Sequence, residues 1–312
     1  MKTRNIGKSG LEVSAVGLGC NNFGMFVNLE ESRTVIDKAL DLGITLFDTA
    51  DIYGNRGGSE TILGKVLGKR RKGIILATKV GKPMDEAGTL KGASRRYIMS
   101  AVDASLKRLQ TDWIDLYQIH ELDPMTSTDE TLLALENLIR QGKVRYIGCS
   151  NFSAWKVVES FWISKELEVS GFISCQDQYS LLSRAIENEL IPAMESYGMG
   201  LLPYFPLAGG MLTGKYKRNT TPAEGTRFAS WKGLAQRYTT EANWNIVERL
   251  EKFCAERKHS LLDLAFGWLL AKPVVSSVIA GATKPEQLEM NVRAAGWEMS
   301  KEDLAEIDTL VR

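Results

Sequence analysis

Seven polar side chains close or follow short apolar runs: Asp48, Lys79, His120, Ser150, Asn151, Gln176 and Tyr204. Tyr53 lies five residues past Asp48, in Asp-Ile-Tyr-Gly. Ionisable groups set directly after buried apolar runs are costly to desolvate unless they partner one another. Among them a phenol, an ammonium, a carboxylate and an imidazole form a set suited to proton transfer. Tyrosine titrates near pH 10 and needs help to exchange a proton at neutral pH. An ammonium from Lys79 would favour the phenolate and lower that pKa, and Asp48 would hold Lys79 charged and in place. His120 would hydrogen-bond a carbonyl oxygen. The chemistry is reduction of a carbonyl, needing only a hydride donor. Taken singly, each residue has a structural role available: Asp48 bracing a turn, Lys79 snorkelling from a strand end, Tyr53 packing in a loop. Their shared position is what argues for chemistry.

That position comes from the elements. Strands are predicted near Ala15–Cys20, Ile44–Phe47, Ile74–Thr78, Ile114–Ile119, Val144–Cys149, Phe172–Gln176, Gly200–Phe205 and Ser276–Ala280. Most start about 30 residues after the last, the length of a strand–helix–strand unit. The final interval is far longer, so the seventh unit carries an insertion. Helical stripes fall between them, as in Val35, Ile36, Ala39 and Leu40, or Ile98, Ala101, Val102, Leu106 and Leu109. Gly43, Gly142 and Gly198 read as helix C-terminal glycines, and Ser260 to Asp263 as a capped helix start running through Leu270. Eight units at near-constant spacing favour a closed (β/α)8 TIM barrel over an open doubly wound sheet. Thr3–Ile6 and Leu11–Val13 read as a β-hairpin plugging the N-terminal mouth. In such a barrel the C-terminal strand ends carry the active site, which is where the polar set falls.

The chain has 312 residues with 39 Lys plus Arg against 38 Asp plus Glu. This balance argues against nucleic acid or an anionic membrane as partner. Cys20, Cys149, Cys175 and Cys254 show no C-x-x-C spacing, and two histidines do not make a metal centre. No apolar run reaches the roughly 18 residues of a membrane span, and the N-terminus lacks a signal-peptide core. The expectation is one cytoplasmic domain over residues 1–312. The stretch from Lys215 to Asn243 lacks clean periodicity and is expected as a long loop over the mouth. It holds Lys215, Lys217, Arg218, Arg227, Lys232 and Arg237 against Glu224 and Glu241. Attraction of phosphates and a merely solvated loop both fit it.

Six segments in order resemble the aldo-keto reductase family: Leu46–Gly54, Ala77–Val80, Leu116–His120, Cys149–Phe152, Tyr204–Lys215 and Ile279–Asn291. The resemblance covers essentially the whole chain. It implies a catalytic tetrad of Asp48, Tyr53, Lys79 and His120, with Tyr53 the general acid in reduction and base in oxidation. It also implies NADPH, with NADH the alternative, lying extended on the rim without a Rossmann fold. Ser150, Asn151 and Gln176 would bind the carboxamide, and the Tyr204 ring would stack on the nicotinamide. Pro206, Leu207, Gly209, Leu212, Gly214 and Lys215 would wrap the pyrophosphate, with Gly19, Cys20 and Asp48 lining the floor. Gly281, Thr283, Lys284, Gln287 and Asn291 match positions near the adenine and 2′-phosphate. Lys284 is the only cation in that stretch, and Met290 stands where relatives carry Glu. The substrate would be a small carbonyl or alcohol, with Phe23, Phe26 and Trp231 as apolar walls.

Other readings are open. Gly17-Leu-Gly19 begins a Rossmann fingerprint, but Asn22 takes the third glycine position and no helix opens there. Lys79 as a Schiff-base amine would suit a lyase, which an Asp48 partner disfavours. A redox-sensing or channel-associated subunit of the same fold would bind cofactor and turn over slowly. Glu121 would disfavour anionic substrates if it faces the mouth. His259 reads as a helix C-terminal cation.

Overall fold

The computed structural model describes residues 1–311; the expected unit of 1–312 runs one residue beyond them. Eight strands are parallel neighbours: β3 (Val16–Gly19), β4 (Leu46–Asp48), β5 (Ile75–Val80), β6 (Ile114–Ile119), β7 (Val144–Ser150), β8 (Ser174–Gln178), β9 (Gly200–Tyr204) and β10 (Val278–Gly281). They run in the order β10-β3-β4-β5-β6-β7-β8-β9. The two ends meet through Leu201, whose N–H donates to the Val274 carbonyl at 2.7 Å and whose carbonyl accepts from Ser276 N–H at 2.9 Å. The sheet is therefore a (β/α)8 barrel whose last joint is made by the segment leading into β10. Several strands begin two residues later than expected, at Leu46, Ser174 and Val278, because the first two residues of those runs lie ahead of the ladder.

Helices α1 (Leu29–Asp41), α2 (Tyr53–Leu67), α3 (Arg95–Leu109), α4 (Thr128–Arg140), α5 (Ala154–Glu166) and α6 (Leu190–Tyr197) each bridge consecutive strands. They sit where the apolar stripes put them: Val35, Ile36 and Ala39 are buried on α1, and Ile98, Ala101, Val102 and Leu109 on α3. After β9 come α7 (Arg227–Ser230), α8 (Lys232–Tyr238), α9 (Glu241–Glu256) and α10 (Leu261–Leu270); α11 (Pro285–Ala294) and α12 (Lys301–Leu310) follow β10. Ser260 and Asp263 cap the start of α10 reciprocally, as their spacing predicts. Gly43, Gly142 and Gly198 take the positive φ of helix-terminal glycines.

The expectation of a structureless stretch from 215 to 243 is corrected by α7 and α8. These helices have four and seven residues, too short for apolar spacing to reveal a period. Phe228, Leu234 and Tyr238 anchor them, and Phe228 stacks on Tyr216 with centroids 4.2 Å apart.

Side chains on one strand alternate faces, so a closed barrel fills its interior in layers two residues apart. The lower layer is apolar: Leu46, Ala77, Leu116, Leu202 and Ile279. Against it pack Ile6, Leu11 and Val13 of the hairpin β1 (Thr3–Asn5) and β2 (Glu12–Ser14). The hairpin closes the N-terminal end as expected. Its turn is locked by Gly7, whose φ is +55°; a Cβ there would meet the Gly198 carbonyl at 2.3 Å. Two residues higher on the same strands stand Asp48, Lys79 and Gln118, where the interior becomes polar.

Candidate active site

Asp48 and Lys79 rise above that apolar floor and meet. The Lys79 Nζ donates to Asp48 Oδ2 at 2.6 Å and to the Thr49 carbonyl at 2.9 Å. Lys79 is fully buried, and a buried ammonium survives only if such partners replace its lost water. The other carboxylate oxygen accepts from Gln176 Nε2 at 2.9 Å and Gln118 Nε2 at 3.2 Å. Gln118 escaped the sequence reading. The signal was present, since it lies two residues before His120 and so on the same strand face.

Tyr53 opens α2 beside this pair. Lys79 Nζ lies 5.1 Å from its ring centroid, and the His120 ring meets it edge-on with centroids 5.6 Å apart. The chain is pinned just before it, where Asp51 N–H donates to the Lys79 carbonyl at 3.2 Å. Just after it, residues 54 to 57 all take positive φ (67°, 59°, 64° and 110°), two of them non-glycine. Such a left-handed turn is sterically costly and persists only where its surroundings fix it. The four residues thus come together at one mouth.

Electrostatics refine the expectation. Burial raises the Tyr53 pKa, and the opposing pull of Lys79 does not cancel it, so the phenol is held protonated, not eased toward phenolate. For Lys79 burial pulls downward, but Asp48 and Tyr53 outweigh it and the pKa is raised. Burial, then the charges of Lys79 and Lys82, lower His120 to about 2, making it a neutral imidazole. Its Nδ1 is buried without a partner. The site therefore presents a protonated phenol and an uncharged imidazole.

Four further sequence-predicted residues, Ser150, Asn151, Gln176 and Tyr204, are tied to this mouth by hydrogen bonds. Asn151, at φ +59°, donates from Nδ2 to the His120 carbonyl at 2.9 Å and to Ser150 Oγ at 3.0 Å. Its Oδ1 accepts from the Tyr204 hydroxyl at 2.8 Å, which fixes that ring at the end of β9. Burial raises the Tyr204 pKa to about 12. Gln176 gives its amide N–H to Asp48, leaving its Oε1 for other partners. Gly209 and Gly210 adopt φ of +69° and +107° in a short 3-10 turn over residues 208–213, a backbone that an L side chain resists. Pro206 and Leu212 are buried and Leu207 partly so, leaving chiefly backbone to face a ligand; Gly214 is partly exposed and Lys215 lies over Tyr216. Gly19 and Cys20 lie beneath, both buried, with Gly281 paired to Gly19 in register. Gln287 accepts from Thr283 N–H at 2.8 Å, Lys284 is exposed just before α11, and Asn291 is buried on it.

Arg227, one of the six loop cations named from the sequence, is set apart by its surroundings. It donates to Asn22 Oδ1 at 3.0 Å, stands 5.9 Å from the Phe205 ring centre, and has no carboxylate partner among the described residues. Burial lowers its pKa. Lys217 and Arg218, by contrast, pair with Glu251, Glu241 and Glu248 of α9, so the loop's positive charge is partly consumed. Phe23 is fully buried, whereas Phe26 and Trp231 are about half exposed, at 51% and 50%. Glu121 lies 3.5 Å from Lys82, which offsets its charge. His259 stacks on Trp297 with centroids 3.9 Å apart. After Gly19 no helix begins until Leu29, which removes the Rossmann alternative.

A model of the aldo/keto reductase family matches residues 15–312. Among relatives, an uncharacterized oxidoreductase of Bacillus subtilis is 38% identical over 97% of this chain and 94% of its own. An L-glyceraldehyde 3-phosphate reductase of Escherichia coli K12 is 36% identical over 99% of this chain and 92% of its own. A probable voltage-gated potassium channel subunit beta of rice is 36% identical over 94% and 91%.

Proposed function

The chain belongs to the aldo/keto reductase family, and from that premise we propose that it reduces the carbonyl group of a small aldehyde, ketone or sugar with NADPH, and oxidises the alcohol in reverse. The observation that carries this reading is the sealed Lys79–Asp48 pair beside Tyr53 and His120. A phenol held protonated can give its proton to a carbonyl oxygen, and a neutral imidazole can hydrogen-bond that oxygen without competing as an acid. Lys79, kept charged by Asp48, steadies the phenolate left behind. The bound nicotinamide would supply the hydride.

The residues on the rim fit such a dinucleotide. Ser150, Asn151 and the Gln176 Oε1 offer hydrogen-bonding groups for a carboxamide, and the tethered Tyr204 ring offers a stacking face. Backbone N–H groups beside Gly209 and Gly210, with the uncompensated Arg227 guanidinium, suit a pyrophosphate. Lys284 before α11 combines a cation with a helix N-terminus, which suits the 2′-phosphate of NADPH over NADH. Lys284→Ala should raise the KM for NADPH about tenfold and leave that for NADH unchanged; equal losses would remove Lys284 from that role.

The test of the reaction is a panel of carbonyl compounds with NADPH oxidation followed optically. Tyr53→Phe should lower kcat by about 10²–10⁴-fold with cofactor affinity retained. Full rate in that variant on every good substrate would end the assignment. The resemblance to potassium-channel beta subunits keeps a regulatory role in view; tight NADPH binding with negligible turnover across the panel would favour it. A Schiff-base role for Lys79 is disfavoured by its charge, and borohydride trapping of substrate on that residue would reverse this. All four cysteines are free and buried, which accords with a reducing, cytoplasmic setting.

A further inference from the structure

Hydrogen bonding around the buried ion pair has a fixed direction, and that direction carries outward to the rim. Asp48 meets the Lys79 ammonium through Oδ2 at 2.6 Å, so its Oδ1 is a carboxylate oxygen with no hydrogen to give. Any group that meets Oδ1 must donate to it. Gln176 does so from Nε2 at 2.9 Å and Gln118 from Nε2 at 3.2 Å. All three side chains are buried, and an amide turned the other way would set its oxygen against the carboxylate. A second, longer contact runs from Gln176 Nε2 to Gln118 Oε1 at 3.5 Å. Both hydrogens of the Gln176 amide therefore point inward, and only Oε1 is left to face out. That oxygen has no partner among the described residues and is not sealed.

The neighbouring groups share this polarity. Asn151 gives its Nδ2 hydrogens to the His120 carbonyl at 2.9 Å and to Ser150 Oγ at 3.0 Å. Its Oδ1 accepts from the Tyr204 hydroxyl at 2.8 Å and keeps a second lone pair. Ser150 Oγ accepts from Asn151, so its own hydrogen is left without an acceptor among the described residues. Of these side chains, Gln176 and Asn151 can offer a ligand only oxygen lone pairs. Ser150 alone can offer it a hydrogen.

We propose that Asp48, besides holding Lys79, fixes the direction of the Gln176 amide and so makes the rim select a primary amide on the nicotinamide ring. A primary amide brings one oxygen for the Ser150 hydrogen and two hydrogens for the waiting oxygens. A ketone brings no hydrogen, and a carboxylate would set its charge against lone pairs, which is rejection built into the site. The proposal rests on the reductase reading. It adds that the carboxylate serving the proton donor also chooses the cofactor's ring substituent.

Three probes are titrated calorimetrically into the full chain at pH 6, which favours the charged lysine: NADP+, its acetylpyridine analogue and its nicotinic acid analogue. The second carries a methyl group in place of the amide nitrogen, and the third a carboxylate. Wild type should bind the acetylpyridine form about tenfold and the acid form about 100-fold more weakly than NADP+. Asp48→Asn should reverse the direction. The charged Lys79 can only donate, so the asparagine oxygen turns to it and Nδ2 turns to the glutamines, whose own oxygens swing inward. With Gln176 then presenting N–H groups, both gaps should narrow to within about threefold. Gln118→Leu disturbs the same oxygen but keeps the carboxylate, so its gaps should stay within about twofold of wild type. Equal binding of all three by wild type, gaps in Asp48→Asn that match wild type, or the same narrowing in Gln118→Leu would each overturn the proposal and leave the reductase reading standing. A wild type that binds none of the three would bring both down. Native circular dichroism in each variant separates a turned amide from a lost fold.

Discussion

At the scale of single residues, the mouth works by widening the pH range over which each group keeps one protonation state. His120 shows the cost. Its imidazole is buried and neutral, with a pKa lowered to about 2 from an ordinary 6.5. The neutral form is thus favoured by folding. This contribution is fully present above pH 6.5 and is lost as pH falls from there toward 2, at about 1.4 kcal/mol per pH unit. Urea midpoints should therefore drop between pH 6.5 and 4.5, and His120→Gln should flatten much of that limb. An unchanged acid limb in the variant would show that the imidazole is not the group being charged. Tyr53 moves the other way, raised by burial, so the proton it would give a carbonyl is available across the neutral range.

At the scale of elements, the hairpin and the strand layers set where chemistry can occur. Gly7 joins the hairpin to the base of β9, with Lys8 N–H donating to the Gly198 carbonyl at 2.8 Å. Gly7→Ala would drive a methyl group into that carbonyl at a positive φ and should cost about 1–3 kcal/mol or more. Gly68→Ala is the control, since its φ of +51° is also positive but nothing lies within 4 Å. Thermal melts of the two should differ, Gly7→Ala being lower. The hairpin, the strand ends and the helix caps were legible in the sequence because each depends on local rules: alternation, a terminal glycine, a Ser with Asp three residues on. Gln118 was legible in principle but drowned among apolar neighbours. Which of the six loop cations is half-buried and unpaired, Arg227, and the helices α7 and α8 were not legible. Their meaning depends on which loop folds over which rim, and a four-residue helix carries no period.

At the scale of the whole molecule, every neighbouring pair of barrel strands shares a parallel ladder except β9 and β10. There a bridge at Leu201, made to Val274 and Ser276, replaces a full ladder. Local opening follows the poorest hydrogen bonding, so the amides of Leu201 and Ser276 should exchange with solvent faster than those of β5 and β6. The groups proposed to grip the dinucleotide leave from both sides of this joint, Tyr204 to Lys215 after β9 and Gly281 to Lys284 after β10. Added NADPH should therefore slow exchange there most; slowing spread evenly over the sheet would separate the grip from the joint. The other end of the barrel has a different consequence. Among the described residues Ile6, Leu11 and Val13 fill its floor, which leaves the C-terminal mouth as the doorway to Lys79 and Tyr53. Two reactants sharing one doorway must queue, and whichever lies deeper arrives first and departs last.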